Sequence, residues 1–298
     1  MPRSSPFTQL WSRLARMNGP RRADLHVHTT ASDGEYTPSQ VVLLARQAEL
    51  AAVAVTDHDT LAAVEEAIGF AASLPKQDIE VVPGVEITTA LGGRELHLLG
   101  YFVRTGESEL TRELAKLCGR RRERFRDYLA KLADDDRVIP TDRAKLIEDS
   151  TASLGRRHVA SLLVACGIAR TRDEAFGRYV HRLHGRILPK LLLPIDRAIE
   201  LVRDAGGVTS LAHPPADLTD DDFRTLRDFG LDALEAEYAW KRSSASARLR
   251  DAAGRLGLLV TGGSDCHGPD PAHRRIGSEA VTTDQFEKLR ERAAARGF

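Results

Sequence analysis

The chain has 298 residues, with 43 Lys and Arg balanced by 43 Asp and Glu, so its formal net charge at pH 7 is zero. That balance gives no global field directed at nucleic acid or an anionic membrane surface, and no apolar run approaches the ~20 residues needed to span a bilayer. Three widely spaced cysteines, Cys118, Cys166 and Cys266, form no disulfide framework and suit a reducing compartment, so a cytoplasmic location is expected.

Residues 1–22 read as an N-terminal extension with basic residues but without the continuous apolar core of a signal peptide. Leu10, Trp11, Leu14 and Met17 in it are spaced to form one face of a short helix. Seven short apolar runs then predict strands at 23–28, 52–57, 80–87, 95–102, 208–213, 231–237 and 258–264. Helical patterns follow most of them, over 38–50, 60–73, 195–206, 220–229 and 243–256, the first opened by Thr37 and Pro38. Alternating strands and helices predict parallel βα units, and seven such strands fit a closed or nearly closed barrel better than a small open sheet. The stretch 104–190 has no convincing strand and predicts helices over 107–134, 141–149, 156–166 and 172–183. It carries more Lys and Arg than Asp and Glu, which leaves the remainder with an acidic excess. The expected architecture is an α/β barrel built from 23–103 and 191–298, interrupted by an inserted basic helical subdomain at 104–190.

Chemistry concentrates where the predicted strands end. The first strand finishes His26-Val27-His28, ahead of Asp33-Gly34. Residues two apart in a strand share a face, so His26 and His28 converge while Leu25 and Val27 pack the other way. The second strand ends Thr56-Asp57-His58-Asp59, the third ends at Glu86, the fourth carries His97, the fifth ends at His213, and the last ends Asp265-Cys266-His267. Each has an ordinary structural explanation by itself: His97 as a core histidine, His213 before Pro214 as a turn, Asp33-Gly34 as a turn, Asp57 or Asp59 as a helix cap. Independent caps and turns have no reason to place imidazoles and carboxylates at one end of nearly every strand, the end where barrels of this kind build their active sites. Mixed imidazole and carboxylate donors suit Zn²⁺, Mn²⁺ or Fe²⁺ better than Mg²⁺ or Ca²⁺. Nine candidate ligands are too many for one ion and about right for two or three. Such a cluster would keep a positive surplus that attracts a phosphate and stabilises charge on its oxygens.

Five motifs, His26 to Gly34 (H-x-H-T-x-x-S-D-G), Thr56 to Asp59, Pro83 to Glu86, Ala212 to Pro214 and Gly263 to His267 (G-S-D-x-H), resemble those of the polymerase-and-histidinol-phosphatase (PHP) family, in that family's order. The resemblance implies a distorted seven-stranded (β/α)7 barrel with a trinuclear metal centre. Carried over by position, it implies one metal between His26, His28, Glu86 and Asp265, a second sharing Glu86 with His97 and His213, and a third held by Asp33, His58 and His267. Asp57 matches a position that orients a ligand or transfers a proton, and His213 is a candidate proton donor to the leaving oxygen.

The helical insert is similar to that of the branch that hydrolyses nucleoside 3′,5′-bisphosphates and trims short 5′-phosphorylated RNA from its 5′ end. A G-R-P-H-like motif of that branch reads Gly155-Arg156-Arg157-His158 here, with arginine in place of proline. Arg156, His158 and Lys190 are the implied substrate-binding residues. A second departure is the stretch Tyr238-Ala239-Trp240-Lys241-Arg242-Ser243, where relatives often carry a serine-histidine pair. The arginines at 120, 121, 122, 124 and 126 are expected to lie largely in water, with one of them a candidate to reach substrate. Cys266 lies between two ligands but points away from them and is expected to pack.

The expected activity is in-line hydrolysis of a nucleotide phosphate ester by a metal-bridging hydroxide, with no covalent enzyme intermediate. Histidinol-phosphate phosphatase is the alternative within the same chemistry, and a non-catalytic metal-binding module the alternative outside it. A DNA proofreading exonuclease is disfavoured, because the neutral charge does not suit a stable duplex DNA partner.

Overall fold

The first strand, β1 (Arg22–Val27), sets the frame for the rest of the molecule. Ala23 and Leu25 pack outward against apolar side chains that include Phe286 and Leu289, while Val27 joins a second cluster with Val41, Val53 and Val55. The alternate residues Asp24 and His26 then face inward, as the period of two requires. The computed structural model describes residues 21–76, 78–106, 108–238, 243–269 and 274–298. The helix expected from Leu10, Trp11, Leu14 and Met17 lies outside the described residues, as do residues 239–242.

The remaining strands are β2 (Ala52–Val55), β3 (Glu80–Leu91), β4 (Arg94–Tyr101), β5 (Leu193–Pro194), β6 (Val208–Leu211), β7 (Ala233–Tyr238), β8 (Leu259–Gly263) and β9 (Val281–Thr282). They form one sheet in the order β8-β7-β6-β4-β3-β2-β1-β9, with β5 beside β3. Beyond β8 the chain returns to β1: the Asp265 amide donates to the His26 carbonyl at 2.8 Å and the His28 amide to the Cys266 carbonyl at 3.0 Å. This contact nearly closes the sheet into a barrel, in a mixed α/β fold. The nine described segments replace the seven expected strands; β5 and β9 are two-residue additions too short to show in the hydrophobic pattern.

One expectation about direction fails. β4 runs antiparallel to both β3 and β6, so the sheet is not uniformly parallel. The cause is the two-residue link Gly92-Gly93, both at positive φ (57° and 82°), between paired residues Leu91 and Arg94. A turn this short joins only antiparallel neighbours. The reversal brings the first half of β4, not its end, to the rim where the parallel strands finish, and His97 sits in that first half.

Helices cover the outside: α1 (Pro38–Gln47), α2 (Val64–Ser73), α8 (Ile195–Asp204), α9 (Asp220–Asp228), α10 (Ser243–Leu256) and α11 (Thr283–Ala294). The first is closed by a capping box between Thr37 and Gln40 with Pro38 in its first turn. Between β4 and β5 lie α3 (Glu109–Asp134), α4 (Thr141–Ser150), α5 (Arg156–Ala165) and α6 (Arg172–Ala175). The last continues through a π turn, Phe176–Val180, into α7 (His181–Leu183). The 26-residue α3 belongs to two cores. Leu110, Leu114 and Leu117 join the barrel cluster of Val85, Ile199 and Val202, whereas Phe125, Tyr128 and Leu132 join a separate cluster with Leu154, Leu163 and Val180. No described helix is long and apolar enough to cross a membrane.

Candidate metal centre

All nine candidate ligands meet at the rim where β1, β2, β6 and β8 end. Glu86 stands at the centre. Its Oε1 lies 2.8 Å from Nδ1 of His97 and 2.9 Å from Nε2 of His213, and its Oε2 lies 2.8 Å from Nδ1 of His58, 3.3 Å from Nε2 of His28 and 3.5 Å from Nε2 of His26. Asp265 Oδ1 approaches Nε2 of His28 at 3.1 Å and Nε2 of His26 at 3.5 Å. Asp33 Oδ1 faces Nε2 of His267 at 3.3 Å and Nε2 of His58 at 3.8 Å. Four overlapping groups have donor atoms within 4.8 Å of one another: His28, Asp33, His58 and His267; His26, His213 and Asp265; His26, His28 and Glu86; His58, Glu86 and His97.

The donor set fits divalent cations on a specific observation. Asp33 Oδ1, His58 Nδ1 and Glu86 Oε2 are buried and have no hydrogen-bond partner. His58 Nδ1 and Glu86 Oε2 are within 2.8 Å but are not aligned as donor and acceptor. Buried polar atoms left in this way are costly unless something else satisfies them, and lone pairs converging on one point are what a cation requires.

Electrostatics agree with that reading. Burial would raise the carboxyls of Glu86 and Asp33, but the surrounding imidazoles hold both well below the usual carboxylate range. Burial would lower His28 and His97, yet the facing carboxylates overcome it and raise both to about 9. Burial wins at His58, which falls to about 4 and is neutral, with a free lone pair, at pH 7. Protons on His28 and His97 occupy the place of the positive charge that ions would bring, and binding would displace them.

The backbone at the rim is strained. Asp59, His213 and Asp265 are non-glycine residues at positive φ (53°, 27° and 49°), a state that persists only where the surroundings impose it. Glycine is required twice beside the ligands. A Cβ on Gly34 would lie 2.6 Å from the His28 carbonyl carbon, and one on Gly263 would lie 2.4 Å from the His26 amide nitrogen. These contacts account for glycine at the end of the first motif and the start of the last.

One supporting residue escapes a reading of the sequence. Glu235, fully buried on β7, accepts from Nδ1 of His26 at 3.0 Å and from the His213 amide at 2.5 Å. It thereby fixes the His26 tautomer that presents Nε2 to the cluster. The only sequence signal is a carboxylate in an otherwise apolar strand, and Glu237 in the same strand offers the same signal. Asp57 contacts none of the ring atoms of the cluster directly. Its carboxylate accepts from the Thr29 amide and hydroxyl at 2.8 and 2.7 Å and from the Ser32 hydroxyl at 2.5 Å, and that hydroxyl lies 3.4 Å from Nδ1 of His28. With its oxygens filled by donors from Thr29 and Ser32, Asp57 ties down the loop that carries Asp33. Cys266 is fully buried in an apolar cluster, away from the donors.

The helical wall departs from expectation. Both ring nitrogens of His158 have backbone partners: its Nδ1 accepts from the Gly155 amide at 2.9 Å and its Nε2 donates to the Ser32 carbonyl at 3.0 Å. Lys190 is paired with Glu95, which also faces Nε2 of His97 at 3.4 Å. Arg156 is exposed and makes no hydrogen bond or ion pair among the described residues. Arg157, at the position of the expected proline, donates to the Asp33 carbonyl at 3.2 Å. Arg121 is partly buried rather than solvated, and it ties α3 to the barrel through Asp59 Oδ2 at 2.6 Å and the Thr88 hydroxyl at 2.8 Å. A cavity of about 210 Å³ lies between wall and cluster, touched by Asp33, His58 and His97 from below and by Arg124, Tyr128, Arg156 and Phe176 from the helices.

Comparison with known proteins agrees with the site. Residues 24–157 match the PHP domain model. The 5′-3′ exoribonuclease Rnm of Salmonella typhimurium is 31% identical over 83% of this chain and 86% of its own. The 3′,5′-nucleoside bisphosphate phosphatase of Chromobacterium violaceum is 27% identical over 85% and 90%. The phosphoribosyl 1,2-cyclic phosphate 1,2-diphosphodiesterase of Eggerthella lenta is 30% identical over 82% and 94%. Among solved structures, a Bifidobacterium adolescentis protein, itself only inferred to be a metal-dependent phosphoesterase, superposes with a TM-score of 0.83 at 30% identity, over 92% of this chain and 98% of its own. The chain belongs to the PHP family of metal-dependent phosphoesterases and is a hydrolase.

Proposed function

We propose that the protein hydrolyses phosphate esters of small nucleotides, namely nucleoside 3′,5′-bisphosphates and the 5′ end of short 5′-phosphorylated RNA. The observation that carries this reading is the cavity itself, whose floor is Asp33, His58 and His97 of the cluster and whose walls are arginines and apolar side chains from the helical region. A substrate with one phosphate at the cluster and a nucleoside against the wall matches both surfaces. The exoribonuclease and bisphosphate phosphatase names of the relatives support the same class.

His26, His28, Asp33, His58, Glu86, His97, His213, Asp265 and His267 would hold two or three Mn, Zn or Fe ions, which when bound would act as Lewis acids and activate water. Glu86 faces five of the imidazoles and keeps them in place, and Glu235 orients His26. His213, 22% exposed at its side chain as His97 is, is the cluster histidine we assign to the leaving oxygen. Residues 104–190 would act as a substrate-selecting insert on the barrel.

The test is phosphate release from adenosine 3′,5′-bisphosphate by Mn²⁺-loaded protein, with histidinol phosphate in parallel. Release from the bisphosphate alone, abolished by His28→Ala, is the expected result. Release from histidinol phosphate alone would replace the nucleotide reading, and release from neither with metals bound would refute it for monoesters.

A further inference from the structure

The face of α3 that borders the cavity continues past it. Arg124, Tyr128, Leu132 and Asp135 follow one another at spacings of four, four and three, so they share one side of the helix. Arg124 and Tyr128 line the cavity, whereas Leu132 and Asp135 line a separate groove of about 470 Å³. Asp135 lies eleven residues beyond Arg124, about 16 Å along the axis of an α-helix. The direction is away from the barrel core, which Leu110 and Leu114 join at the other end of α3. The opposite side of the groove comes from the run that follows α6. Phe176 opens the π turn and lines the cavity, whereas Tyr179 in the same turn, and then Arg182 and Arg186, line the groove.

Charge in the groove is one-sided. Arg137, Arg178, Arg182 and Arg186 line it against the carboxylate of Asp135. Arg186 is paired with Asp135 at 3.3 Å, and Arg178 with Glu174 at 2.5 Å. Arg137 donates to the carbonyl of its neighbour Asp136, and Arg182 makes no hydrogen bond or ion pair among the described residues. Arg178, Arg182 and Arg186 are spaced four residues apart, where like charges on a helix repel. Packing does not require them, since they are exposed and Val180 and Leu183 make the core contacts of this segment. An aromatic face stands among the cations. Tyr179 is half-buried, its hydroxyl donates to the Ile168 carbonyl at 3.3 Å, and the Arg178 guanidinium lies 5.6 Å from its ring centroid. Single-stranded nucleic acid uses both features, with phosphates on the cations and a base on the ring. An acidic peptide would use the cations alone.

We propose that this distal groove binds the downstream part of a single-stranded RNA whose 5′ end lies at the metal cluster. The proposal rests on the RNA arm of the function proposed above and adds a length preference to it. A bisphosphate or a dinucleotide occupies the cavity alone, and a longer strand also reaches the groove. Arg137, Arg182 and Tyr179 hold that strand and take no part in bond breaking.

The test is fluorescence anisotropy of 5′-phosphorylated oligoribonucleotides labelled at the 3′ end, titrated with the metal-depleted full chain. A decanucleotide is expected to bind at least about 10-fold more tightly than a dinucleotide. The double variant Arg137→Gln, Arg182→Gln should abolish that gain and leave dinucleotide binding within about twofold of the parent. Its slope of log affinity against log salt for the decanucleotide should fall by roughly 1.4, the value of two phosphate contacts to a single strand. Tyr179→Leu should weaken decanucleotide binding about 10-fold, and Tyr179→Phe, which keeps the ring, should stay near the parent. Lys145→Gln removes a charge from α4 outside the groove and should leave binding of both lengths unchanged. Circular dichroism and thermal melting establish that each variant is folded. Equal binding of the two lengths by the parent, binding of neither, or an undiminished gain in the folded double variant would overturn the groove. Equally tight binding of a polyglutamate peptide, lost in the double variant, would overturn the RNA assignment in favour of an acidic protein partner. If the decanucleotide binds through the groove while the metal-loaded parent releases no nucleotide from it, the proposed reaction fails and the groove stands.

Discussion

The barrel rim and the helical wall hold charge in opposite ways. At the rim, acids and imidazoles are packed so closely that each group is compensated by several others, with Glu86 facing His26, His28, His58, His97 and His213. On the wall, compensation is uneven: Arg121 and Lys190 are paired, whereas Arg124 and Arg156 have no hydrogen bond or ion pair among the described residues. A cluster built for cations is satisfied by its own shared ligands and the ions they bind. A surface built for an anion keeps donors in reserve until the anion arrives. In the proposed reading the rim supplies the chemistry common to the family, and the wall selects the ester presented to it.

The largest expected effect separates these two roles. Glu86→Gln removes the shared charge, and both bound metal by elemental analysis and phosphate release should fall to background. Binding of adenosine 3′,5′-bisphosphate to the metal-depleted chain should survive, since the wall is untouched; its loss would mean that rim and wall are not separable. Next, Leu163→Ala in the core of the helical region should cost about 2–5 kcal/mol, measured by urea unfolding. Metal content should stay near that of the parent chain, because Leu163 belongs to a different cluster from the barrel. A change smaller again is expected from Glu235→Gln, which leaves the fold in place but weakens metal affinity about 10- to 100-fold, read by competition with a chelating dye. An affinity equal to the parent would remove Glu235 from the support of His26. Smallest is Arg126→Gln, which breaks a solvent-screened pair with Glu148 and should leave the urea midpoint close to that of the parent chain. A larger loss would show that the outer face of α3 is not merely solvated.

The legible part of the site was the set of histidines and carboxylates at strand ends. It was legible because strand periodicity is local: a pair such as His26 and His28 shares a face whatever the rest of the chain does. The same locality explains why the helices of the insert appear close to their expected positions, α3 with a Ser108 cap at its start. The direction of β4 was written in Gly92-Gly93 but was missed because an alternating pattern of strands and helices elsewhere favoured parallel pairing. Glu235 could not be told from Glu237 without knowing which strand lies opposite His26. Nor could the arginines of α3 be sorted. Arg124 is buried and faces the cavity while Arg126 is exposed, a difference set by how the helix is rotated against α5 and the barrel.

Residue spacing along each strand determined that a metal-binding cluster would form, because ligand pairs two residues apart need only the local backbone to converge. Which ligands Glu86 bridges, which basic side chains are consumed by internal partners and which remain for a substrate were decided by packing between segments more than 100 residues apart, as in the pairing of His158 with the Ser32 carbonyl. Pairing is a property of distances in space, and those distances exist only once the helical wall has docked over the barrel rim.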